Sequence, residues 1–124
     1  MIASIQGIVA DKRKSSVIVV VQGIGYDVNV PDATLTKAQS GDEIHLHTTL
    51  VVREDSMTLY GFNTATEKDV FEIVTTVSGV GPRLGLAIIS TMGVDNLRNA
   101  IASERDEMLT RVPGIGKKTA KKII

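Results

Sequence analysis

The hydrophobic pattern of this chain changes period once, at Asn63, and that change limits the fold more than any other feature. Before it, short β-branched runs recur at 2–9, 17–21, 26–30, 44–52 and 57–62. Turn-forming residues separate them: Asp11-Lys12-Arg13-Lys14, Gly23-Ile24-Gly25, Pro31-Asp32, Ser40-Gly41-Asp42 and Arg53-Glu54-Asp55-Ser56. Ile44, Leu46, Thr48, Leu50 and Val52 alternate with His45, His47 and Thr49, as in a half-buried strand. Five short strands in so little chain predict a small barrel, with the five-stranded OB-type closure ahead of an SH3-like one. After Asn63, Thr64-Ala65-Thr66-Glu67 fits a capping box, and Val70, Val74 and Val77 then mark one face of a helix. Further helices are expected at 82–91, at 96–103 with Asp95 as its cap, at 104–111, and from Lys117 onward. Pro82 suits a first helical turn, where its missing N–H is no loss. The expected architecture is therefore α+β in two domains: an OB-type β-barrel over 1–63 and an all-helical unit over 64–124.

Composition narrows what such a chain can do. Hydrophobic residues make up 43% and aromatic residues 3%, so the core must be built mainly from Val, Ile and Leu. The absence of cysteine excludes a disulfide framework and a thiolate metal site. The N-terminal MIASIQGIVAD lacks the pattern of a secretory signal, and the longest aliphatic run, 17–21, is far too short to span a membrane. A soluble, cytoplasmic protein is expected. The net charge of zero conceals an asymmetry. Up to Asn63 there are five basic and seven acidic residues; from Thr64 there are nine basic and seven acidic. The stretch 111–124 carries five positive charges and no negative one, a local field suited to a polyanion.

Within the helical half lies a repeat. VSGVGPRLGLAII (77–89) matches VPGIGKKTAKKII (112–124) at a constant offset of 35 residues. Val77 pairs with Val112, Gly79 with Gly114, Gly81 with Gly116, Arg83 with Lys118, and Ile88-Ile89 with Ile123-Ile124. Each copy has an apolar-flanked Gly-x-Gly turn between two helical segments. The glycines suit a backbone that takes φ > 0 or comes close to another group, while Val80 and Ile115 are expected to be buried and to fix the turn. The first amides of a helix lack intrahelical partners and its dipole makes that end positive, so each turn resembles an anion site. Arg83, Lys117 and Lys118 stand at those helix starts, where a cation opposes the dipole by about 0.3–1 kcal/mol. An anion arriving there offsets that cost.

Other candidates carry less. Gly116-Lys117-Lys118-Thr119 resembles the end of a nucleotide-binding P-loop, but Arg111 stands where the first glycine belongs and Lys118 separates Lys117 from Thr119. The first Gly-x-Gly misses the dinucleotide fingerprint by one residue and follows a helical pattern instead of a strand. His45 and His47 share a strand face without an evident third metal ligand. Tyr26, Tyr60, Phe62 and Phe71 are too few and scattered to form a base-stacking platform. No nucleophile–base arrangement emerges. The expectation is a protein with no catalytic residue, no metal and no cofactor.

The paired turns resemble tandem helix-hairpin-helix motifs, which hold DNA backbone phosphates through hairpin amides. Together with MIASIQGIV, GIGYDVNVP, VVRED, LYGF, SGVGPRLGLAI and VPGIGKKTAKKI, they make the whole chain resemble the RuvA family of bacterial Holliday-junction branch-migration subunits. The resemblance implies a homotetramer, or an octamer of two such rings, that holds a four-way DNA junction open and square-planar. It also implies RuvB as the ATPase motor, RuvC as the resolving nuclease, and a role in recombination, DNA repair and the SOS response. Carried onto these positions, it places phosphate contacts at Gly79, Val80, Gly81 and Arg83, and at Gly114, Ile115, Gly116, Lys117 and Lys118, with Lys122 a lesser contact. Glu54 and Asp55, by pattern alone a polar hairpin tip, match the family's acidic pin at the junction centre.

Two rival readings stand beside this one. A base-excision glycosylase of the helix-hairpin-helix class needs a catalytic Asp beyond the second hairpin, where this chain supplies no residues. A generic duplex-binding or protein-binding module needs no junction preference. The family continues through a linker into a small motor-docking domain with no counterpart in these 124 residues. Either the chain is a fragment or its remainder lies outside these residues; as it stands, it is expected to assemble and bind junctions without recruiting the motor.

Overall fold

The computed structural model describes all residues, Met1–Ile124. Its elements, in chain order, are β1 (Ser4–Lys12), β2 (Ser16–Val21), β3 (Ile24–Asn29), α1 (Asp32–Lys37), β4 (Glu43–Arg53), β5 (Ser56–Phe62), α2 (Ala65–Val74), α3 (Pro82–Ala102), α4 (Asp106–Leu109) and α5 (Lys117–Ile123). They divide into two compact units, Met1–Lys68 and Asp69–Ile124.

The first unit is a closed barrel with strand order β1-β2-β3-β5-β4. Antiparallel pairing of β1 with β4 (Ile5↔Leu46) and a short parallel pairing of β3 with β5 (Val28↔Leu59) complete the ring. The OB-type expectation holds, and closure leaves the barrel no free sheet edge. Inward positions of successive strands supply Val9, Val17, Val19, Val28 and Leu46, each at most 1% exposed. Alternation sends every second side chain to that interior, and Val, Ile and Leu fill most of it.

Three local details differ from the sequence reading. β1 runs to Lys12 where 2–9 was expected, because a register shift between Val9 and Asp11 lets a bulge carry polar residues into the ladder. The β2–β3 turn falls on Gln22 (φ 50) and Gly23 (φ 85), one step earlier than the expected Gly23-Ile24-Gly25. Positive φ at both central residues matches the twist of a two-residue hairpin. The six-residue α1 went unanticipated, being too short to show a period. It is held by Leu35, which packs on the barrel core, and by Asn63, whose side-chain amide donates to Thr34 Oγ1 at 2.9 Å.

At the change of period, the expected capping box forms. The Glu67 N–H donates to Thr64 Oγ1 and the Thr64 N–H to Glu67 Oε1, both at 3.2 Å. The helical unit packs Val74, Val80, Ile88, Leu97, Leu109, Val112, Ile115 and Ala120 into one core. Asp95 is not a cap: it lies inside α3, and the break in that helix is Gly93 at φ 76 and ψ 162. The helix expected over 104–111 shrinks to four residues, because Glu104 takes φ 52 and Arg105 leaves helical geometry.

Candidate nucleic-acid interface

The sequence repeat is also a repeat of hydrogen bonds. In the first copy the N–H groups of Val77, Val80 and Gly85 donate to the carbonyls of Val74, Val77 and Gly81, at 3.2, 3.0 and 2.9 Å. In the second copy Val112, Ile115 and Ala120 donate to Leu109, Val112 and Gly116, at 3.1, 3.1 and 3.0 Å. Each bond is displaced by the same 35 residues that relate the sequences. Two chemically different stretches therefore form one backbone device twice.

The glycines of each pair do different jobs. Gly79 (φ 90) and Gly114 (φ 98) adopt the left-handed region, which turns the chain between the two helices. Gly81 (φ −83, ψ 177) and Gly116 (φ −92, ψ 179) are extended helix caps, a conformation open to any residue. A Cβ built on either would meet nothing within 4 Å. Backbone conformation and internal packing thus explain the first glycine of each pair and leave the second unexplained. Bare backbone at an exposed helix start is what a close external approach requires.

Between the glycines, Val80 (4% exposed) and Ile115 (6%) point into the helical core, as the sequence indicated. Burying each contributes about 1.5–3 kcal/mol and pins the loop between its glycines. Their N–H groups are already donated inside the turn, to Val77 and Val112. Among the expected phosphate-contact residues these two therefore anchor the turn and have no amide to offer. The N–H groups without an intrahelical acceptor lie just beyond. The first intrahelical bond of α3 is made by Gly85, leaving the N–H groups of Arg83 and Leu84 ahead of it; in α5 Ala120 makes it, leaving Lys117, Lys118 and Thr119.

The two turns also face each other's helices. A Cβ on Gly79 would lie 3.6 Å from Thr119 Oγ1, and one on Gly114 would lie 3.2 Å from Leu84 Cδ1. Residues 84 and 119 are themselves related by the offset of 35, so the contact is reciprocal. The copies pack as a pseudo-two-fold pair and present both glycine turns together.

Side chains distinguish them. Arg83 is exposed at the start of α3, and Lys117, Lys118, Lys121 and Lys122 are exposed along α5. Lys117 and Lys121 line an open groove of about 290 Å³ with Asp106 and Glu107 of α4 and Thr110, which caps its C-terminal end. Lys121 was not among the expected contacts. Its signal was available in the repeat, where it replaces Leu86 of the first copy.

In the barrel, Glu54 and Asp55 form the two-residue connection beyond the last β4–β5 pair, Arg53↔Ser56, and both are exposed. The His45 and His47 rings stand 4.9 Å apart, tilted by 31°, and no group of three or more metal-ligand side chains includes them. No helix is long and apolar enough to cross a membrane.

Comparison with known proteins assigns a family to each unit. Residues 1–61 match the model of the RuvA N terminal domain, and residues 71–124 match that of the SAM-like Helix-hairpin-helix tandem. The whole chain is 52% identical to the Holliday junction branch migration complex subunit RuvA of Beutenbergia cavernae, covering 62% of that protein. It is 48% identical to the corresponding protein of Thermobifida fusca, covering 61%, and 46% identical to that of Rhodococcus erythropolis, covering 62%. The chain thus spans about three fifths of the length of these relatives.

Proposed function

This chain belongs to the RuvA family, and from that premise we propose that it binds four-way DNA junctions by their structure, not their sequence. It holds them open and planar while a partner ATPase drives branch migration during recombination and repair. The observation that carries this reading is the open space over Gly81 and Gly116, beside helix amides that have no partner. A phosphate oxygen is small, anionic and rich in acceptors, and it fits backbone that no side chain shields. The Gly79–Arg83 turn then holds one backbone and the Gly114–Lys118 turn the other, with Lys122 further along α5. Contacts of this kind position a duplex without reading its bases, so affinity falls steeply with salt.

Junction preference comes from the barrel. Four copies around a central axis bring four Glu54-Asp55 tips to the crossover, where carboxylates repel phosphates and keep the strands apart. The chain performs no chemistry of its own in this assembly; ATP hydrolysis belongs to RuvB and strand cleavage to RuvC, in the bacterial cytoplasm. Replacing Glu54 and Asp55 by Gln and Asn raises affinity for linear duplex; unchanged duplex affinity removes the repulsion argument. A gel-shift competition between linear duplex and a four-way junction at moderate salt tests the whole reading. Junction preference supports it, and equal affinity overturns it.

A further inference from the structure

The β4–β5 hairpin carries an apolar pair that the barrel does not bury. Along its core-facing side the opposed residues are Thr48↔Gly61, Leu50↔Leu59 and Val52↔Met57. Leu59 is 8% exposed and belongs to the barrel core, and Leu50 packs against it. One step further, Val52 is 62% exposed and Met57 68%. Directly opposed residues of an antiparallel pair share a face, and residues two apart along a strand return to it. The apolar row of the interior therefore runs out along the hairpin into solvent. It stops one residue pair short of Glu54 and Asp55.

We propose that Val52 and Met57 form a platform for the face of an unpaired base at the crossover of a bound junction. The inference rests on the junction-binding reading and adds what the acidic tip cannot do by itself. Glu54 and Asp55 outnumber the one nearby cation, Arg53, which alternation sends to the other face of the hairpin, so a phosphate beside this pair is disfavoured. The part of DNA that can approach is the uncharged face of a base whose backbone is held away. Two side chains offer about the surface of one base, whereas a specific protein interface takes roughly 20–30 residues on each side. Apolar side chains against partly unstacked base steps are an established way for a protein to deform a duplex. Methionine, being flexible and polarizable, accommodates any base, in keeping with sequence-independent binding. Repulsion at the tip separates the backbones, and the pair behind it receives the base that separation exposes.

The test is an immobile four-way junction with 2-aminopurine at the crossover or, as a control, in the middle of one arm. Its fluorescence rises when the base leaves the stack. Wild-type chain is expected to raise the crossover signal and leave the arm signal unchanged. The double variant Val52→Thr, Met57→Gln keeps both carboxylates and changes only exposed positions. It should lose at least about half of that rise at saturating protein, while arm binding changes by less than about threefold. A rise equal to wild type, at matched saturation and with an unchanged circular dichroism spectrum, overturns the platform and leaves the junction reading intact. Loss of self-assembly in light scattering assigns the pair to contact between copies and also overturns it. Failure of the parent reading looks different: wild-type chain then shows no preference for the junction over linear duplex.

Discussion

The two glycine turns share a backbone and differ in charge. Val77, Val80 and Gly85 repeat the hydrogen bonds of Val112, Ile115 and Ala120 to within 0.1 Å. Where the second turn is followed by Lys117, Lys118, Lys121 and Lys122, the first has Pro82, Arg83, Leu86 and Ala87. Glycine at the φ > 0 position and an aliphatic residue in the core determine the turn, and both copies keep them. The remaining helix positions are free to vary, and there the copies diverge. Conformation is thus set by the buried and left-handed residues, whereas electrostatic strength is set by exposed ones. The first turn presents one cation and, because Pro82 has no N–H, one amide fewer; the second is expected to supply most of the salt-dependent affinity.

The largest effect should come from removing charge on the stronger side. Lys117→Ala with Lys118→Ala is expected to weaken duplex and junction binding by about 10- to 100-fold near physiological salt. The slope of log affinity against log salt should become shallower by about 0.9 for each phosphate no longer neutralised. Arg83→Ala should change that slope by the equivalent of one phosphate and lower affinity less. Fluorescence anisotropy across a salt series measures both. Equal losses from the two turns would show that amides, not side-chain charge, dominate, and the contrast between the copies would fail.

Next in size is a pair of substitutions within one turn. Gly114→Ala forces an L residue to φ 98 and places its Cβ 3.2 Å from Leu84 Cδ1. It should lower stability by about 1–2 kcal/mol, seen as a fall in Tm. Gly116→Ala adds its methyl to open space on an extended backbone. Stability should then change by less than about 1 kcal/mol, with DNA affinity falling by about tenfold or more as the methyl displaces the phosphate. A drop in Tm alone for both variants would make the second glycine structural and remove the main support for a phosphate at that position.

Much of this was legible before the structure, because periodicity and repetition report backbone geometry directly. Alternation over 44–52 located the long strand of the barrel, and Thr64 with Glu67 located the start of the first long helix. The 35-residue offset located both turns and their buried centres. What escaped notice depends on single dihedrals or on contacts distant in sequence. Asp95 looked like a cap until Gly93 proved to hold the break, and α1 is stabilised by Asn63, far along the chain. The division of labour within Gly-x-Gly was equally hidden. Both residues are glycine, and only φ and the empty space around Gly116 distinguish a residue the turn requires from one that neither conformation nor packing requires.

The smallest expected effect is the most direct test of the contrast, because it tries to convert one turn into the other. Pro82 corresponds to Lys117 under the 35-residue offset, and both open their helices. Pro82→Lys therefore adds a cation and an N–H where the second turn already has them. Loss of a favourable first-turn proline, plus a cation at a helix N-terminus, should destabilise the unit by about 0.5–1.5 kcal/mol. Against that local loss, duplex affinity at low salt should rise by about threefold, and the salt slope should steepen by about 0.9. A steeper slope with a lower Tm shows the added charge opposing the helix until a phosphate compensates it. If the slope is unchanged, the first turn does not lie against a phosphate. The pseudo-two-fold pair then has only one working half.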